Sequence, residues 1–260
     1  MNRRKRPYKR IVAVSDLHCG SIVGLTPPGQ WSHLEGVRAV QRELWGWYER
    51  EVQALGQVDA VLCLGDAIDG KGQRQGGIEQ YTTDMIEQAA IAAQCLRAID
   101  ARQYVMVHGT PYHTGQEEDF ESLIAGELKG SIGGHEWAEA HGVVFDLKHK
   151  VGSSQIPHGR HTAIARERLW NQLWALRDGA PKADILLRGH VHYFNFCGGP
   201  TWLAMTLPAL QGLGSRYGVR QCSGTVDFGF VHFDVYPGGK YTWEAHLLRQ
   251  QAAKPEPCPL

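Results

Sequence analysis

Aspartate and histidine recur in short clusters along this 260-residue chain. "SDLHCG" sets Asp16 and His18 one residue apart, and "GDAIDG" carries Asp66 and Asp69. "HGTPYHTG" supplies His108, Thr110 and His113, "DLKHK" Asp146 and His149, and "RGHVHYF" His190 and His192. Carboxylate and imidazole together suit Mn²⁺, Fe or Zn²⁺ better than Mg²⁺ or Ca²⁺, which prefer all-oxygen shells. In extended backbone, residues i and i+2 point the same way, so Asp16 with His18, and His190 with His192, can each converge on one site. The ligands are too many for one ion. Two ions about 3.5–4 Å apart, bridged by a carboxylate and a water, would use them all. Asp66 is the natural bridge, and the bridging water, acidified to hydroxide, would attack a phosphorus atom in line.

Each cluster follows a short apolar run that reads as a buried strand: residues 11–15 ("IVAVS"), 59–65, 104–108, 142–149 and 183–190. Helical spacing is expected over 32–55, 82–100, 117–128 and 162–178, the last with Ile164, Leu169, Leu173 and Leu176 on its apolar face. Trp45, Trp47, Trp170 and Trp174 fall in these helices and read as core. A hairpin is expected around the Pro-Gly-Gly of "DVYPGGKY". Helices alternating with strands imply a layered α/β domain with a largely parallel sheet, whose carboxyl edge is where ligands bind. The expected organisation is a basic flexible leader over 1–10, one domain over 11–250 and a flexible tail over 251–260.

The order D-x-H, G-D-x-x-D, a G-N-H-like loop, a lone His and G-H-x-H resembles the calcineurin-like metallophosphoesterase superfamily, over residues 11–192. The resemblance implies an α/β fold built as a four-layer α/β/β/α sandwich, a dinuclear centre, and hydrolysis of phosphomonoesters or phosphodiesters by a metal-bridging hydroxide. It assigns Asp16, His18, Asp66 and His192 to one metal. Asp66, His149, His190 and the third-motif residue go to the other, and Asp69 orients a catalytic histidine that protonates the leaving oxygen. The departure is the third motif, where Gly109-Thr110-Pro111-Tyr112-His113 stands in place of Gly-Asn-His. The expectation is that Thr110 takes the Asn position and His113 is the acid. The rival is His113 as second-metal ligand, with His108 structural. His158 and His161 lie in a loop after His149, and His135 and His141 read as surface residues.

The expected cofactors are two divalent ions, Mn²⁺ first, with Fe, Zn²⁺, Co²⁺ or Ni²⁺ as alternatives. Among Arg74, Arg160, Arg188, Arg216 and Arg220, one or two could grip a substrate phosphate. Arg216 and Arg220, in the Gly-rich "LPALQGLGSRYGVR", are the favoured pair. The partner is a phosphoester, including nucleotides or nucleic acid, with no membrane.

Composition limits the alternatives. No apolar run reaches the about 18 residues that span a membrane. The six cysteines show no CxxC pair and read as reduced thiols of a cytoplasmic protein. Six of the first ten residues are Lys or Arg, so the 27 basic and 27 acidic residues leave 21 against 27 in the body. That leader slightly favours a nuclease acting on DNA or RNA ends. "GDAIDGKG" lacks the Ser/Thr of a P-loop, and no G-x-S-x-G nucleophile element occurs. Two further readings stand beside the enzyme: a non-catalytic metal-binding module with a degenerate third motif, and a metal-stabilised structural protein.

Overall fold

A computed structural model describes residues 6–73, 76–115, 118–154, 156–215 and 225–250. Residues 11–14 are buried throughout, as are 61–63 and 104–107. Strands apolar on both faces need a layer on each side, and the chain supplies it with two stacked sheets and outer helices. The strands are β1 (Lys9–Val14), β2 (Val58–Cys63), β3 (Ala101–Val107), β4 (Ser131–Gly133), β5 (Glu136–Ala140), β6 (Val143–Lys148), β7 (Ile185–Arg188), β8 (Asn195–Gly199), β9 (Trp202–Thr206), β10 (Phe228–Tyr236) and β11 (Lys240–Leu248). The helices are α1 (Glu35–Leu55), α2 (Met85–Arg97), α3 (Pro111–Thr114), α4 (Phe120–Glu127) and α5 (Pro157–Asp178).

The first sheet has the order β11-β10-β1-β2-β3-β4 and the second β5-β6-β7-β9-β8. Parallel pairing holds at the centre of each: β1 to β4 in the first, β6, β7 and β9 in the second. Strands β10, β11, β5 and β8 add antiparallel edges. Three apolar clusters separate the layers. One lies between the first sheet and α1, α2 and α4, one between the two sheets, and a smaller one between the second sheet and α5. The mixed α/β sandwich is therefore the architecture observed. The strands that end in the five Asp/His clusters are split, three in the first sheet and two in the second, and their carboxyl ends meet at one edge of the sandwich.

Four expectations change. The Leu-rich side of α5 is its outer side: Leu169, Trp170, Leu173 and Leu176 are exposed. Its inner side is Ala163, Ile164, Glu167, Arg168 and Asn171, because that side must satisfy buried polar groups beneath it. Arg188 Nε donates to Glu167 at 2.8 Å, Asn171 Nδ2 to Asp146 at 2.9 Å, and Arg168 Nη1 to the Ala183 carbonyl at 2.7 Å. Periodicity shows that a helix has a face but not which face is covered, so Trp170 is not core. Second, β4 and β5 arise from a Gly- and His-rich stretch without alternating apolar residues. Third, the start of the chain is held down from Arg6 on. Arg6 pairs with Asp59 at 3.0 Å, and Arg10 grips Asp234 with two bonds of 2.7 and 2.6 Å. Fourth, His135 is tied to the core, with its Nε2 2.9 Å from Asp146.

Candidate metal centre

The two polar strand ends of the first sheet run side by side. Asp16 N donates to the Gly65 carbonyl and His18 N to the Asp66 carbonyl, both at 3.0 Å. Between them Leu17 turns fully into the core. Asp16 and His18 therefore do point the same way, but not through extended alternation. Asp16 has φ 53° and His18 φ 46°, both left-handed. Asp66, His190 and His192 are left-handed as well, at φ 50°, 76° and 55°. Non-glycine residues take this region at a cost. Five of the eight described non-glycine residues with positive φ belong to this one edge, and such clustering marks functional sites.

Two glycines let the loops close. At Gly65, φ 79°, an added Cβ would stand 2.6 Å from the Cα of Gly109. At Gly189 it would strike Ser15 Oγ, the hydroxyl that donates to Asp16 Oδ2. Only bare backbone lets the β2 and β3 ends touch and the second sheet reach Asp16. The contact across the sheets is direct, since His190 N donates to Asp16 Oδ2 at 2.9 Å and His149 Nδ1 to the Leu64 carbonyl at 2.6 Å.

The side chains gather in two neighbouring groups. In the first, His18 Nε2 lies 3.1 Å from His192 Nε2, and Asp16 Oδ1 is 3.3 Å from the latter. In the second, Asp66, His149 and His190 present ligand atoms within 4.8 Å of one another. Asp66 also groups with His18 and His113, and His18 belongs to the first group as well, so Asp66 and His18 together join the two sides. The donor set fits cations. His18 gives its Nδ1 proton to Asp69 Oδ1 at 2.7 Å, which leaves Nε2 a lone pair. His149, with Nδ1 committed to Leu64, has a buried Nε2 that lies 3.1 Å from Asp66 Oδ2 without a hydrogen bond. A buried ring nitrogen beside a carboxylate but out of line with it suits a shared cation.

The third motif forms the one-turn α3, with Thr110 as its N-cap and Pro111 at its start. Thr110 N donates to Asp66 Oδ1 at 2.6 Å, and Thr110 Oγ1 lies 3.1 and 3.2 Å from the two Asp66 oxygens. His113 stands on the other side, edge-on to His18 with ring centroids 4.6 Å apart. It groups with His18 and Asp66, not with His149 and His190. Its Nδ1 donates to the backbone carbonyl of Asp69 at 2.8 Å, whereas the Asp69 carboxylate is 3.6 Å away and engaged with His18 and Gln80. Asp69 thus holds His113 through its main chain and His18 through its side chain. His108 turns outward, 3.7 Å from Asp119.

Charge is organised accordingly. Burial works against ionisation of Asp16, but His192 and His149 hold its carboxyl below the usual range. Asp66 is treated likewise by His149 and His113, and Asp69 by His18. Burial opposes the charged form of His149, yet the neighbouring Asp66 carboxylate raises it to about 10. Burial and the neighbouring His149 push His190 down to about 4.

Two positioning residues escaped sequence reasoning. Glu121, buried in the first turn of α4, accepts from Ala67 N at 2.9 Å and Gly109 N at 2.7 Å, so one carboxyl spans the second and third motifs. Burial and the Asp66 charge raise it to about 7. Gln88, on the apolar side of α2, accepts from Asp69 N and Gly70 N. A lone glutamine among Met85, Ala89, Ile91 and Ala92 was its only signal.

Of the arginines, Arg74, Arg216 and Arg220 lie outside the described residues. Arg188 does not face substrate: it is fully buried, 2.7 Å from Asp146 and 2.8 Å from Glu167. Arg160 stacks over Tyr193 at 4.0 Å. The cysteines Cys19, Cys63, Cys95 and Cys197 are free thiols. No described helix is long and apolar enough to cross a membrane.

No protein-family model matches the chain, and no curated protein does. Among solved structures it is similar to Vps29 of Entamoeba histolytica in complex with zinc, at 17% identity and TM-score 0.46 over 92% of this chain and 98% of that one. An archaeal phosphodiesterase aligns at 13% identity and TM-score 0.47 over 91% and 99%. A predicted phosphoesterase from Streptococcus pneumoniae aligns at 13% and 0.40 over 93% and 100%. Likenesses this distant carry no weight for activity, which is read from the site itself.

Proposed function

We propose that the protein is a metal-dependent phosphoesterase with a dinuclear centre. The observation that carries this reading is that Asp66 groups with His149 and His190 on one side and with His18, a member of the Asp16/His18/His192 group, on the other. Asp16, His18, Asp66 and His192 would hold one divalent ion; Asp66, Thr110, His149 and His190 the other. Bound there, the pair would supply a nucleophile at neutral pH and neutralise phosphate oxygens.

The chain's own residues do the rest. Asp69 fixes the tautomer of His18, and the Leu64 carbonyl fixes that of His149. Glu121 and the two abutting glycines hold Thr110 against Asp66. His113, anchored through Nδ1, keeps Nε2 for the substrate and would give its proton to the leaving oxygen. The substrate we favour is a small phosphoester, including nucleotides, over a long nucleic acid. Support comes from Arg6 and Arg10, whose charges are engaged by Asp59 and Asp234.

The test is to strip the protein of metal, restore Mn²⁺, and assay bis-p-nitrophenyl phosphate, p-nitrophenyl phosphate and a labelled single-stranded DNA, with Asp66→Asn as control. Turnover of the small esters that disappears in the control is expected. Stoichiometric metal binding without hydrolysis of any substrate would overturn the enzyme reading in favour of a binding module. His113→Gln separates roles: an acid lowers kcat and spares metal content, whereas a ligand lowers both.

A further inference from the structure

Away from this edge, a second imidazole-carboxylate cluster sits on the outer strands. The β10–β11 register sets His232 opposite Glu244 and Phe230 opposite His246. Cross-strand partners share a face, so all four side chains stand on the face that α1 covers. The His246 ring is stacked on Phe230, with centroids 4.7 Å apart and planes 15° apart. From α1, Glu51 Oε2 accepts the Nδ1 proton of His246 at 2.8 Å. That bond leaves His246 Nε2 its lone pair, aimed at His232 Nδ1 2.8 Å away. One ligand atom from each of His232, Glu244 and His246 lies within 4.8 Å of the others.

We propose that His232, Glu244 and His246 form a third metal site, for one Zn²⁺ or a similar borderline divalent cation, with Glu51 orienting His246 from behind. Two imidazoles and one carboxylate are a zinc-type set that leaves a fourth position for water. A carboxylate on the far nitrogen of a ligating histidine is the usual support of such a set. Glu244 is exposed, so the cation has a route in from solvent. When the cation binds, the proton of His232 passes from Nδ1 to Nε2 and frees Nδ1, with no net proton lost. The place is separate from the dinuclear centre. His232 pairs with Val12 inside β1, two residues before the strand ends at Val14, and none of its group belongs to the groups gathered at the carboxyl edge. A cation there would fasten the edge strand β11 and β10 into one clamp, backed by α1.

Metal counting on the full chain after dialysis against Zn²⁺ tests the site. Wild type is expected to retain one more equivalent than His246→Gln, and Asp66→Asn to keep that equivalent while Asp66→Asn/His246→Gln loses it. Zn²⁺ should raise the Tm of Asp66→Asn and leave that of the double variant unmoved. Glu51→Gln should weaken this equivalent about ten- to a hundredfold without removing it at high Zn²⁺. His232→Asn supplies the same comparison if His246→Gln fails to fold. Equal Zn²⁺ content in wild type and folded variants, with no Zn²⁺-dependent Tm difference, would show a plain hydrogen-bonded histidine pair and overturn the proposal.

Discussion

Substituting Gly65 by alanine isolates how the candidate metal-binding edge is assembled. Two costs combine there. The backbone is left-handed at φ 79°, which charges an L-residue roughly 1–2 kcal/mol. The new Cβ would also stand 2.6 Å from the Cα of Gly109. Neither main chain can yield without moving Asp66 or Thr110, so overpacking adds about 1–3 kcal/mol. Gly179, the C-cap of α5, is the matched control: its φ is 69°, and nothing lies within 4 Å of its Cβ position. Gly179→Ala therefore carries only the backbone cost. In a domain of this size about 1 kcal/mol moves Tm by roughly 2–4 °C. The expected losses are about 10 °C for Gly65→Ala and about 4 °C for Gly179→Ala, read by circular dichroism on metal-free protein. Only Gly65→Ala should also weaken Mn²⁺ binding, because it separates Asp66 from Thr110. Equal Tm losses, with Mn²⁺ affinity intact in both, would refute the view that the two strand ends depend on bare backbone contact.

Further outcomes follow from the same geometry. Arg188→Met should destabilise by about 3–5 kcal/mol by stranding Asp146 and Glu167 in the interior, measured by urea denaturation; a KM effect without loss of stability would instead restore Arg188 to the substrate. Glu121→Gln should cost about 1–3 kcal/mol, since its new amide cannot accept from both Ala67 N and Gly109 N. In the wild type the raised Glu121 carboxyl contributes stability at pH below its ordinary 4.5 and loses it as pH rises through about 7; denaturation midpoints of Glu121→Gln across that window should be flatter. His149 is raised to about 10, so its imidazolium stabilises the metal-free fold below pH 6.5 and that contribution is lost as pH rises through about 10. A cation must displace the same proton, so affinity should rise by about tenfold per pH unit near neutrality; a flat profile in a competition titration would show that His149 is not displaced.

The sequence carried the five clusters and the strands before them because apolar runs ending in Asp or His are short-range signals. Thr110 and His113 could be placed near the centre, but their division of labour depended on α3, a single turn that no periodicity announces. Two kinds of information were out of reach. One was which face of α5 is covered, since its inner polar residues answer to Arg188 and Asp146 on strands far away in sequence. The other was support from a distance. Glu121 is 54 residues from Ala67, and His232 meets Glu51 only through His246. The i, i+2 argument gave the right neighbours for Asp16 and His18 by a mechanism the backbone does not use.

The five left-handed residues at the sandwich edge have a consequence for how this protein can change. At about 1 kcal/mol or more each, they place roughly 5 kcal/mol of strain against a net stability of about 5–15 kcal/mol. The substitution that relieves each of them best is glycine, and glycine deletes the side chain that the proposed centre would use as a ligand. A library screened for thermal survival alone should therefore accumulate glycines at Asp16, His18, Asp66, His190 and His192. Screened with metal retention as a second demand, the same library should leave these five untouched and gather its gains in the core between the sheets.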